Sequence, residues 1–377
     1  MKKLAALAIF ITLISAFVFS QEDGLTISGE VKTGLYWEET KDEGKDPEAT
    51  IKFYNNDDAG SGSGRFRLNL QYEKNNIGMK TRIELGTLTV TDPELTYAFG
   101  YGRFFDQQLE LSIGKLGASP WGTGGPEMWA ELESLVHGGM RVEYKPSWLP
   151  GLNAGFVLNH YDSPSDAGFG GAKNVTLAVI LQETVLGVSY DHELFAGTFA
   201  YRLDSEGDRR DRGTTGKEGD EMLYRLEERV LKNYLPGLRI WANGSWEGVG
   251  AEAEDCIRYL NWLYGEYAPD NFTAQLRLGY DVISNRSILH VRPSFYYHLF
   301  NKLLSTGISF TFAQDFGEGK MYADSPFLYW FFEPQVKINF GNMYVAFVYH
   351  YGDEYKYHTD PPKQRLQWFN LRMVLTF

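Results

Sequence analysis

Gln367-Trp368-Phe369-Asn370-Leu371-Arg372-Met373-Val374-Leu375-Thr376-Phe377, the final stretch of the 377-residue sequence, alternates without a break. Phe369, Leu371, Met373, Leu375 and Phe377 share one face of a strand, and Trp368, Asn370, Arg372, Val374 and Thr376 share the other. A free strand edge carrying such an apolar row would recruit other chains. A closed barrel removes the edge. If that barrel crosses a membrane, the apolar face meets lipid and the mixed face meets a watery lumen.

Working back along the chain, the same two-faced pattern recurs. Phe66, Leu68, Leu70 and Tyr72 alternate with Arg65, Arg67, Asn69, Gln71 and Glu73. After Asn75-Asn76, the apolar Ile77, Met79, Ile83 and Leu85 oppose Lys80, Arg82 and Glu84. Met140 to Lys145, Leu238 to Glu247 and Phe272 to Val282 repeat it. The second face is too polar for a packed core, whereas a lumen only has to be wet.

The opposite terminus has the layout of an export signal. Lys2 and Lys3 precede an apolar run from Leu4 to Phe19, with Val18 and Ser20 where a signal peptidase accepts small side chains. Residues 1–20 are therefore read as a cleaved signal peptide and residues 21–377 as a single barrel domain. The one cysteine, Cys256, excludes an internal disulfide and a lipid-modified mature N-terminus. An alternating C-terminal strand ending in Phe, behind such a signal, resembles the assembly signal of bacterial outer-membrane β-barrel proteins. The resemblance implies an outer-membrane location, lipid and the barrel-assembly machinery as partners, and Phe369, Leu371, Met373, Leu375 and Phe377 as the assembly signal.

Composition agrees. Beyond residue 20 no apolar run is long enough for a membrane helix. Aromatic residues make up 15% of the chain beside 40 glycines, while mean hydropathy is mildly negative. That combination suits a barrel in which only alternate residues face lipid and aromatic girdles mark the interfaces. A large soluble β-protein would share the composition but leaves the terminal strand unexplained. The net charge of −13 argues against nucleic acid as a partner.

Nineteen candidate strands can be drawn, yet single-chain bacterial barrels have even numbers. Ser147 to Leu152 and Asn233 to Leu238 share Leu-Pro-Gly-Leu and should form equivalent turns at the same end of the barrel. An even number of strands must lie between them, where five are drawn, including ones beginning at Asn174, Val185 and Phe195. The pair at Val185 and Phe195 is the weakest and is read as one interrupted strand or an inward-folded piece. The result is an all-β, transmembrane, antiparallel up-and-down barrel of 18 strands, with 16 as the alternative. Short turns are expected at Asn75-Asn76, Asp106-Gln107, Leu149-Pro150-Gly151, Gln182 to Thr184, Leu235-Pro236-Gly237, Pro269-Asp270, Asn301-Lys302 and Gly341-Asn342. Long external loops alternate with them, chiefly Thr40 to Gly64, Gly117 to His137, Asp162 to Lys173, Asp204 to Glu221, Gln314 to Ser325 and Asp353 to Lys363.

Gly117 to His137 is the third external loop, the one that porins fold into the barrel. Gly122, Gly124 and Gly125 permit sharp bends, and Pro126 opens a short helical run. Met128, Trp129 and Leu132 can pack on the wall while Glu127, Glu131 and Glu133 face the pore. Arg65, Arg67, Lys80, Arg82 and Arg141 stand opposite on the alternation, and Arg277 and Arg372 also point inward. Such facing charges would set a transverse field across the constriction. An external flap with solvated acids is the competing reading.

Other motifs carry little. Gly100-Tyr101-Gly102 leads into another strand, which excludes a dinucleotide fingerprint. The seven histidines are scattered without metal spacing, and Asn55 to Asp58 and Asp204 to Asp220 lack a calcium-ligand pattern. No metal, cofactor or enzymatic activity is expected. The reading that emerges is a porin-like channel for passive diffusion of small polar solutes and ions. The alternatives are a substrate-specific uptake channel, for which Tyr36 and Trp241 face inward without forming a clear sugar track, and a surface-exposed barrel acting as an adhesin.

Overall fold

The computed structural model describes residues 24–40, 48–53, 65–85, 94–116, 121, 138–160, 184–203, 220–249, 258–283, 286–316, 328–354 and 363–377. The expected signal peptide, residues 1–20, lies outside them. The described residues form nineteen strand segments. In chain order these are β1 (Leu25–Thr40), β2 (Glu48–Phe53), β3 (Arg65–Lys74), β4 (Ile77–Leu85), β5 (Glu94–Phe104), β6 (Leu109–Lys115), β7 (Gly138–Tyr144), β8 (Leu152–His160), β9 (Val185–Asp191) and β10 (Phe195–Arg202). They continue with β11 (Asp220–Glu228), β12 (Leu238–Val249), β13 (Arg258–Tyr267), β14 (Phe272–Ile283), β15 (Arg286–Leu299), β16 (Leu304–Asp315), β17 (Leu328–Phe340), β18 (Met343–Glu354) and β19 (Lys363–Thr376).

Apart from β2 and β3, which both pair with β1, each strand pairs antiparallel with the next, and β19 returns to β1, matching Leu35 with Leu371 and Tyr36 with Asn370. β2 and β3 share one place in the wall: Glu48–Phe53 pairs with the outer half of β1, and Arg65–Tyr72 with its inner half. The nineteen segments are thus a closed barrel of 18 strands, as the sequence predicts. Among the described residues every strand but β2, which pairs with β1 alone, has a neighbour on both sides, so the closed wall offers little free edge.

The strand count is right, but two of the steps toward it need correction. Val185 and Phe195 do not begin one interrupted strand: β9 and β10 are separate and pair with each other, from Ala196 with Asp191 to Arg202 with Val185. The strand drawn from Asn174 falls outside the described residues, and β8 pairs directly with β9. The parity argument held, since four strands lie between the two Leu-Pro-Gly-Leu turns. The expected turn at Gln182 to Thr184 is also corrected. Thr184 precedes β9 at the end opposite the tight turns, and the tight turn of that hairpin spans His192 to Leu194. The missing segment is β2, inside the stretch read as the loop Thr40 to Gly64.

The two Pro-Gly turns are equivalent, as their sequences require. Leu152 N donates to Leu149 O at 3.2 Å, and Leu238 N to Leu235 O at 3.0 Å. Gly151 and Gly237 have φ of 93° and 90°. A Cβ on Gly151 would lie 2.0 Å from the Asp191 carbonyl oxygen, so glycine is required there on both counts. Asn75 and Asn76, at φ 54° and 66°, make the two-residue turn whose twist matches the flanking strands.

Alternation sets the faces. On β19, Leu371, Met373, Leu375 and Phe377 are exposed on the outside, while Trp368, Asn370 and Val374 are buried on the inside. Exposed aromatic side chains cluster near the turn end, among them Tyr144, Trp148, Tyr234, Phe300 and Phe340, where a headgroup boundary favours them. Polar groups on the outer face pair with one another: Tyr224 donates to Asn261 Oδ1 at 2.7 Å and Tyr280 to Ser287 Oγ at 3.1 Å, so these groups are not left unsatisfied in hydrocarbon.

Candidate functional site

The inward residues of β1 to β8 form ion pairs, among them a run of six charges from Glu73 to Lys145. Arg65 Nε meets Glu30 at 2.6 Å, and Arg67 Nε meets Glu84 at 2.6 Å. Nearer the turns, Arg103 bridges Glu73 at 2.6 Å and Glu110 at 2.9 Å. Arg141 contacts Glu110 at 3.4 Å and Glu143 at 2.9 Å, and Lys145 reaches Glu143 at 3.2 Å. Tyr101 donates to Glu73 at 2.6 Å and Asn153 to Glu143 at 2.9 Å. Glu73, Glu110 and Glu143 each have more than one polar partner, which limits the swing of their side chains.

Rings fix the cations from the other side. Arg82 lies 4.9 Å from the Tyr97 ring centroid, Arg141 5.3 Å from Phe99, and Arg103 5.0 Å from Tyr101. Across the barrel, Arg239 lies 4.9 Å from Trp241, Arg277 5.1 Å from Tyr264, and Arg372 5.7 Å from Tyr344. Trp241 and Tyr264 are themselves stacked at 3.7 Å. Each such contact contributes about 0.5–2 kcal/mol and limits how far a guanidinium can swing into the lumen.

The wall of β15 to β18 carries a second polar centre. Glu333 accepts from Arg292 at 2.9 Å and Ser309 at 3.4 Å, and lies 3.2 Å from His350 Nδ1. His350 stacks on Trp368, which in turn meets Tyr36. Inward rings therefore do make a short run here.

The wall of β8 to β11 differs. Its inward positions include Gly155, Val157, Val185, Gly187, Ala200 and Leu223, and four of these are fully or almost fully buried. Trp121 and Leu116 complete a dry cluster with them and with Phe99, Tyr101 and Trp262. Trp121 is 0% exposed, and its Nε1 donates to the Asn153 carbonyl oxygen at 3.3 Å.

The predicted basic residues Arg65, Arg67, Lys80, Arg82, Arg141, Arg277 and Arg372 all lie on strand faces that point inward. They are spread around the barrel and do not form one cluster. Arg65, Arg67 and Arg141 have acidic partners within the wall itself. Glu127, Glu131 and Glu133 lie outside the described residues. Sequence reasoning missed Arg103, Arg292, Glu333 and His350. Glu333 was within reach, since Trp330, Phe332, Pro334 and Val336 alternate about it.

No protein-family model matches the chain, and no curated protein matches it. Solved structures do. Pseudomonas aeruginosa OpdQ superimposes with a TM-score of 0.60 at 9% identity, over 94% of this chain and 98% of that one. Pseudomonas aeruginosa OccK2, in complex with glucuronate, gives 0.59 at 12% identity over 94% and 98%. A mutant of Rh. blastica porin gives 0.50 at 11% over 94% and 100%. At these identities the likeness is one of fold, and the fold is that of porin-like outer-membrane barrels.

Proposed function

We propose that the chain is an outer-membrane channel for passive diffusion of small polar solutes and ions, narrowed by the connection between β6 and β7. The carrying observation is the inward face: a closed wall lined with ion-paired and ring-backed charges has no use in a solid barrel, where each would bear a desolvation cost of several kcal/mol. The constriction is supported by Trp121, a residue of that connection buried among inward-facing side chains. In this reading Glu127, Glu131 and Glu133 project toward Arg65, Arg67, Lys80 and Arg82 on the opposite wall.

Planar-bilayer recording on the refolded protein tests both parts. The native chain should form ohmic pores that are nearly unselective or weakly cation-preferring at low salt, where screening is least. Deleting Thr123 to Glu133 removes three acids and the obstruction, so conductance should rise and selectivity should move toward anions. Unchanged conductance and reversal potential would put the connection outside the pore.

A second reading, substrate-specific uptake, is favoured by the guanidinium and ring stacks at Trp241 and Tyr264. A sugar carboxylate such as the glucuronate held by OccK2 would meet ring-backed arginines on this wall. Concentration-dependent block of the ion current by glucuronate, and no block by glucose, would favour it.

A further inference from the structure

Among the inward residues of β9, Gly187 alone has an aromatic side chain where its own Cβ would stand. A Cβ built there would lie 2.0 Å from Trp121 Cδ2 and 2.3 Å from Cγ, far inside van der Waals contact. Gly187 is extended backbone, so a turn conformation does not call for glycine. Its partner across β8 is Gly155, which also lacks a side chain. Together they leave a recess in the inner wall, bounded by Val157 and Val185, into which the indole fits with no exposed surface. The Nε1 bond to the Asn153 carbonyl fixes the ring's orientation.

We infer that Gly187 is a positioning residue: its missing side chain makes the seat for Trp121, and that contact holds the start of the β6–β7 connection inside the barrel. Its effect on ion flow rests on the channel reading above, whereas the seat itself does not. An indole excluded from water on all sides is held by its full transfer free energy. Any side chain at position 187 would overpack the recess and shift the seated equilibrium by about 5- to 100-fold.

The test compares Gly187→Val, Trp121→Ala and the double variant, each first checked for heat-modifiable migration as a folded barrel. A Glu-specific protease reads the connection through cleavage at Glu127, Glu131 and Glu133, and bilayer recording reads the pore. The single variants should be cleaved at least about fivefold faster than the native protein and show larger, noisier conductance. The double variant should do no more than either single one, because the two residues act as a unit. Folded Gly187→Val with native cleavage and native conductance would overturn the inference, as would additive effects in the double variant. Should Gly187→Val fail to fold, Gly187→Ala and Trp121→Ala decide by the same readouts. If the native protein forms no pores but Gly187→Val is still cleaved faster, the channel reading falls and the seat stands. If the native protein conducts and neither single variant changes cleavage or current, the seat falls alone.

Discussion

Replacing Gly29 by leucine, or removing Phe377, is expected to reduce the amount of heat-modifiable barrel severalfold in a cell-based assembly assay. Phe377 O accepts from Gly29 N at 2.8 Å, and Phe377 N donates back to Gly29 O at 3.1 Å. The ring lies where a Cβ on Gly29 would stand, 2.4 Å from its Cζ, and 2.5 Å from that same point is the Arg67 carbonyl oxygen. A side chain at position 29 must therefore push the last residue away from the seam or push β1 away from β3. Two backbone hydrogen bonds at about 1 kcal/mol each, and the ring's stacking on Phe66, are at stake. A charged residue at 377 should act in the same direction. Native yields from both variants would remove Phe377 from any role in assembly.

The second large effect separates two residues that are neighbours in sequence. Leu278→Arg or Leu371→Arg puts a cation on the outer face near the middle of β14 or β19, at an expected cost of about 2–4 kcal/mol in a lipid-based unfolding titration. Arg277→Glu and Arg372→Glu, one residue away, change the lumen instead. They should cost no more than the lost ring contact, about 0.5–2 kcal/mol, and shift the reversal potential toward cations. Leu68 is a poorer site for this test, because it faces outward yet is only 6% exposed and its replacement would also disturb packing. Equal destabilisation by both sets would mean that the faces are wrongly assigned.

How much of this was legible depends on how each strand spends its two faces. β3, β14 and β19 put large apolar residues outward and charges inward, so period-two alternation reads them directly. β5 reverses the sizes: Tyr97, Phe99 and Tyr101 point inward while Ala98, Gly100 and Gly102 point outward. Hydrophobicity then gives no signal for the faces, and Arg103 went unnoticed as a lumen residue. The contact between Trp121 and Gly187 joins two strand hairpins through tertiary packing, and no local pattern encodes it. β9 and β10 were doubted because they are short, and the glycine of β9 is what makes room for the indole. β2 hid within a polar stretch because six residues do not establish a period.

The divided strand β2–β3 has a consequence for how this barrel can change. Along β1, Leu35 faces Phe53 and Lys32 faces Arg65, so Thr33 and Gly34 stand beside the point where β2 ends and β3 begins. Elsewhere in the wall an inserted residue would turn every later side chain of that strand to the wrong face. β2 and β3 each take their register from β1 independently. Peptides of differing length grafted between them should be displayed without loss of closure, which makes this the natural position for an affinity tag or for a segment under pressure to diversify.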